Sequence, residues 1–96
     1  MAQHTAAPWT TFDTDGRSTD DPAVFAGKHC LAVVYANDLP RKQAVANTHL
    51  MAAAPDLLVA LKWFIDDIDG THTVMLDFDR NVERARQALA KAEGRS

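Results

Sequence analysis

Cysteine is nearly absent: Cys30 is the only one in 96 residues. A single thiol excludes an internal disulfide and a cysteine-built zinc site, and it fits a reducing cytoplasm. Excess charge is also small, with a formal net charge of −3. Proteins that grip nucleic acid through phosphates carry a strongly basic footprint, so DNA is not an expected partner. No apolar stretch approaches the roughly 18 residues of a membrane span. Met1 to Pro8 has neither a basic n-region nor an apolar core, so no signal peptide is expected.

Catalytic and metal-binding motifs are equally scarce. There is no G-x-S-x-G elbow and no glycine-rich phosphate loop. Asp13-Thr14-Asp15-Gly16 and Asp67-Ile68-Asp69-Gly70 match the middle of a calcium loop. The first ligand would fall on Thr11 or Ile65 and the twelfth on Pro22 or Leu76, so both fail and read as turns. His4, His29, His49 and His72 form no close pair on one helix face, as zinc would need. Cys30 falls in a segment that reads as a buried strand, where a thiol packs and does not react. Asp66 and Asp67 are adjacent, so they do not face each other on a helix. The expectation is a protein that is not an enzyme, with no catalytic residue, metal or cofactor.

What is present is a hydrophobic content of 47%, enough for one domain over 1–96 with a modest core. Met1 to Pro8 is expected to be disordered. Trp9 to Phe12, Ala23 to Ala26 and Cys30 to Ala36 read as strands of a sheet within 9–36. Gly27-Lys28-His29 turns a hairpin, and Asp13 to Pro22 forms a loop. The nearly continuous apolar run Leu31 to Tyr35 suggests that the third strand is central. Asn37 to Pro40 ends the sheet, with Asp38 a candidate N-cap.

From 38 to 69 the period is helical. Leu50, Ala54, Leu57, Leu58, Leu61, Phe64, Ile65 and Ile68 recur at spacings of three and four and predict one buried stripe. Pro55 lacks the amide proton and clashes with the carbonyl four residues back, so the helix must bend or restart there. The stripe holds its phase across Pro55, which favours a bend over a reversal. A last helix is expected over 74–93, with Met75, Phe78, Val82, Ala85, Leu89 and Ala92 buried; a strand at Val74-Met75-Leu76 is the competing reading. The fold class is therefore α+β: a small N-terminal antiparallel sheet of two to three strands packed against a Pro-bent helix and a C-terminal helix.

Two surfaces stand out. Val45, Ala52, Val59 and Trp63 lie opposite the stripe on the bent helix. Either they are sandwiched between the sheet and the last helix, or Val45, Val59 and Trp63 form an oligomer interface with Trp63 as anchor. On the last helix Arg80, Arg84 and Lys91 share one polar face. That face is either simply solvated or a ridge that binds phosphates or an acidic partner. Charge alternates along the chain: −3 over residues 1–40, +2 over 41–62, −5 over 63–79 and +3 over 80–96. A mosaic of this kind suits a specific partner or self-association better than a polyanion.

His4-Thr5-Ala6-Ala7-Pro8-Trp9, Ala46 to Leu58 (ANTHLMAAAPDLL) and Ala85 to Ala92 (ARQALAKA) together resemble a set of small phage and prophage proteins. These share an N-terminal His-Thr-x-x-Pro-Trp motif and an Ala-Asn-x-x-Leu-x-Ala-Ala-Ala-Pro-Asp-Leu-Leu helix. This chain departs at Ala6-Ala7, where the set carries Pro-Gly. The resemblance implies phage origin and an accessory role in the cytoplasm of the infected bacterium. No residue role carries over with it. The leading expectation is a binder that neutralises a host factor, such as an anti-defence or anti-CRISPR-like inhibitor, acting as a homo-oligomer on a host protein or complex. An oligomeric sponge for a nucleotide immune signal, or a small structural or assembly protein, is the alternative.

Overall fold

The structure, a computed structural model, describes residues 3–12, 14, 21–35, 39–69 and 78–94. Three strands come first, β1 (Thr10–Phe12), β2 (Ala23–Ala26) and β3 (His29–Val33). Three helices follow, α1 (Arg41–Ala52), α2 (Ala54–Asp69) and α3 (Phe78–Ala92). This is the α+β arrangement that the sequence periods predict. The turns at Asp13 to Gly16 and at Gly70, the Asp38 cap, His72 and the competing strand at 74–76 lie outside the described residues.

The sheet is antiparallel in the order β1-β2-β3. Gly27, at φ 60, takes the positive-φ position in the two-residue turn between β2 and β3, which glycine adopts without steric cost. Phe25 pairs with Cys30 but Val24 with Ala32, so Leu31 is bulged out of register. The central strand is β2, not β3 as the apolar run suggests. β1 returns to the free edge of β2, pairing Phe12 with Ala23 and Thr10 with Phe25, and β3 is left at the edge. Val24 is accordingly 1% exposed, whereas Cys30 is an exposed thiol and not a packed one.

Pro40 precedes α1, and its carbonyl accepts the first amides of the helix, from Gln43 and Ala44. The break predicted at Pro55 falls at Ala53, whose carbonyl accepts the Leu57 amide and so starts α2. Pro55 then sits in the first turn of α2, where no amide donor is needed. The axes of α1 and α2 differ by 47°. No single helix among the described residues is long and apolar enough to cross a membrane; α1 and α2 reach that composition only when counted together across the bend.

The helices pack through small side chains. Ala44, Thr48 and Ala52 line the buried side of α1, which lies between the sheet and α3. Thr48 satisfies its buried hydroxyl by donating to the Ala44 carbonyl at 2.7 Å. α2 contacts α3 but not the sheet. It buries Ala60, with Leu57, Trp63 and Phe64 half-buried. The predicted leucine stripe is thus corrected: Leu50 is 55% exposed, Leu61 64% and Ile65 53%. The buried line does not keep its phase across the break, because the restart at Ala53 rotates α2 relative to α1. Three short strands are also too narrow to cover α1 and α2 at once.

The same inversion holds on α3, where Ala88 and Asn81 are buried and Leu89 is 52% exposed. Helices that approach closely need small residues at the contact, and a leucine there would hold them apart. At the end of α3, Gly94 (φ 74) closes the helix by donating its amide to the Lys91 carbonyl. A Cβ on Gly94 would stand 2.8 Å from the His49 ring. Stability should therefore follow the alanines. Ala88→Leu is expected to cost about 1–3 kcal/mol in urea unfolding, whereas Leu89→Ala should shift stability by less than about 0.5 kcal/mol. The reverse ranking would place the core on the leucine stripe.

Candidate functional site

α2 and α3 run antiparallel, joined by two ties one heptad apart. Lys91 Nζ lies 2.7 Å from Asp56 Oδ2. Seven residues back on α3, Arg84 places its guanidinium carbon 3.8 Å from the Trp63 ring centroid, and Trp63 stands seven residues forward of Asp56 on α2. Seven residues are two helical turns, so both ties fall on the same faces, with Ala60 and Ala88 closing the contact between them. Asp56 is in the first turn of α2 and Lys91 in the last turn of α3, each at the helix end its charge favours. A groove of 330 Å³ runs along the seam, lined by Asp56, Val59, Ala60, Arg84, Gln87, Ala88 and Lys91.

The predicted basic ridge is thereby redistributed. Lys91 is held by Asp56, and Arg84, though exposed, sits over the Trp63 ring. Arg80 remains an exposed cation at the start of α3. Arg86, also exposed, was not singled out in the sequence because it falls on another side of the helix. Of the predicted oligomer residues, Val45 is half-buried on α1, Val59 is 43% exposed at the groove, and Trp63 is half-buried under Arg84. Trp63 and Arg84, assigned from sequence to two separate surfaces, are therefore one contact. The matching seven-residue spacings 56–63 and 84–91 are the signal in the sequence that could have paired them.

Among the described residues, α1 is the helix that packs on the sheet, and it lies against one face. Residues paired across an antiparallel sheet point to the same side, so Thr11, Val24 and Ala32 share the side on which α1 packs. Phe12, Ala23, Phe25, Cys30 and Val33 share the other. Phe12 meets Phe25 in a tilted ring contact, with centroids 5.5 Å apart and an interplanar angle of 56°. Phe12 is nevertheless 57% exposed and Val33 43%, and Tyr35, just beyond β3, is 68% exposed. The strand periods alone did not show which face of the sheet would carry a helix.

The N-terminal segment, expected to be disordered over 1–8, has local order from residue 3. The Trp9 indole donates to the Thr5 carbonyl at 3.0 Å, and His4 meets Trp9 edge-on at 6.3 Å. These two rings flank an apolar recess of 170 Å³ with Ala54, Pro55 and Leu58. The segment resembling the phage motif is thus placed beside the segment resembling the Ala-Ala-Ala-Pro-Asp helix.

A family model described as Salmonella phage P22 protein Y8K6 matches residues 1–96. The chain belongs to that family. No curated protein and no solved structure matches it. Membership covers the whole chain, so the sheet face, the seam and the alanine-packed helices all belong to a small phage protein.

The two ties give a measurable coupling. In double-mutant cycles, Asp56→Ala with Lys91→Ala and Trp63→Ala with Arg84→Ala should each return about 0.5–1 kcal/mol, the Asp56–Lys91 value falling with added salt. In a Trp9→Phe background, Arg84→Ala should shift the Trp63 fluorescence maximum to the red. An unchanged spectrum would mean that Arg84 does not shield the ring.

Proposed function

We propose that this phage protein acts by occupancy: it is a non-enzymatic accessory protein that binds and neutralises a host factor. The observation that carries the reading is the outer face of the sheet, on which no helix packs among the described residues. A small monomer seldom exposes a contiguous apolar patch without a use for it. Here Phe12 and Phe25 are in ring contact, and Val33 lies in the same row as Phe12 across β2; Phe12 and Val33, with Tyr35 just beyond β3, are exposed. Aromatic side chains supply large contact area at low entropic cost, and tyrosine adds a polar tip, which is why both are enriched where proteins meet. A protein surface is the partner this face fits.

The nucleotide-sponge reading has less support. Its phosphate grip would come from Arg80 and Arg84, and Arg84 is engaged with Trp63, which leaves Arg80 alone of the two exposed and out of that contact. A partner seated on α3 is the second reading, favoured by the exposed Arg80, which keeps the planar donor fork suited to carboxylate or phosphate.

Tagged wild type and a Val33→Glu/Tyr35→Glu variant should be compared by pull-down from host lysate and by plating of a phage that lacks its own copy. Loss of both capture and plating advantage, with circular dichroism unchanged, is the expected result. An effect of Arg80→Glu alone would move the contact to α3. If every variant captures and protects as wild type does, occupancy through these faces is refuted.

A further inference from the structure

Among the described residues, β3 pairs with β2 on one side and with no strand on the other. The register tells which backbone groups that free edge offers. Ala32 stands opposite Val24 and Val33 opposite Ala23. The Val34 amide donates to the Pro22 carbonyl at 2.8 Å. In an antiparallel pair the N–H and C=O of one residue aim to the same side, and those of the next residue aim to the other. Ala32 and Val34 therefore direct their groups at β2, and Val33 and Tyr35 direct theirs outward. The side chains alternate in step, with Val34 buried and Val33 and Tyr35 exposed. The other edge strand, β1, is three residues long and turns Thr10 and Phe12 towards β2, so Thr11 is the strand residue that aims outward there. β3 is the edge with room for another strand.

Free edges are usually guarded by charge, by proline or by a bulge. The bulge at Leu31 closes the regular stretch on one side. Beyond it there is no guard: residues 31–36 carry neither charge nor proline. This neutrality bears on the occupant. When two identical edges meet antiparallel, like residues come close to like, so a charged edge repels its own copy and a neutral one does not. The spacing is also self-complementary. A two-fold axis beside Val34 sets Val33 of each copy opposite Tyr35 of the other. Both residues then exchange their outward N–H and C=O groups with the facing strand. Their side chains meet on the outer face as pairs of a β-branched and an aromatic residue, which stabilise antiparallel strands.

We infer that the β3 edge is a self-association edge and that its occupant is the β3 edge of a second copy of this chain, antiparallel about a two-fold axis beside Val34. The two sheets join into one, in the order β1-β2-β3-β3-β2-β1. Val45, Val59 and Trp63, the interface residues that the sequence suggests, lie on the helices and take no part. Phe12 and Phe25 stay open to another partner on the outer face.

The test is sedimentation equilibrium on the full chain up to about 1 mM, because a contact of two short strands is a weak one. Wild type should be a monomer–dimer equilibrium. Val33→Pro removes an amide that aims outward and is not used within the sheet, so it should weaken dimerisation by at least about tenfold with circular dichroism unchanged. Val33→Glu and Tyr35→Lys should each weaken it by about tenfold, and the two in one chain should restore it, because the register sets position 33 opposite position 35 at both ends. A wild type that stays monomeric, a Val33→Pro variant that folds and still dimerises, or a double variant without rescue each overturns the inference. If Val33→Pro loses the sheet signal, the rescue pair decides. Capture of a host protein is read separately in the pull-down, where Val33→Pro keeps the Phe12, Phe25 and Tyr35 side chains in place.

Discussion

Alanines at positions 44, 52, 53, 60 and 88 let three helices and a sheet approach closely enough to exclude water, and the rest of the structure depends on that approach. A helix contact built on alanine brings the backbones close but removes little apolar area from each side chain. Large side chains near the contact are pushed to its margins. There they either tie the helices together, as Trp63 does under Arg84, or face outward, as Leu61 and Leu89 do. An exposed leucine surface is thus the direct counterpart of an alanine core in a chain this short.

The two ties across the seam set the register where alanines alone would not. Alanine faces are smooth and would tolerate sliding by a turn. The Asp56–Lys91 ion pair and the Arg84–Trp63 stack, one heptad apart on both helices, are satisfied together only in one antiparallel alignment. Each contributes little in free energy because each is partly exposed; their role is to choose among similar packings. This explains why two cations that look available for a ligand in the sequence are engaged within the fold.

Among the described residues, apolar side chains remain at the surface on the outer face of the sheet, at Leu50, Leu61 and Ile65, and in the recess bounded by His4, Trp9 and Pro55. The first is the aromatic one, built on the Phe12–Phe25 contact, and it is the face on which the proposed binding of a host factor rests.

Local patterns in the sequence determined much of this. The switch from alternating to helical periodicity placed the sheet before the helices, Pro55 marked the break within a residue or two, and Gly27 marked the hairpin. Lack of strong positive charge and of recognisable catalytic spacing shaped the expected function class, and the ANTHLMAAAPDLL segment pointed to a phage set. Tertiary structure decided which face of each element is buried, and there the hydrophobic stripe misled. Periodicity shows that leucines share a face, not what covers that face. Covering requires an opposing element of sufficient breadth, and a three-stranded sheet with one further helix has breadth enough only for the alanine side. For the same reason β3 reads as central in sequence and sits at the edge in space: its neighbour is fixed by where β1 returns, a long-range pairing that no local pattern records.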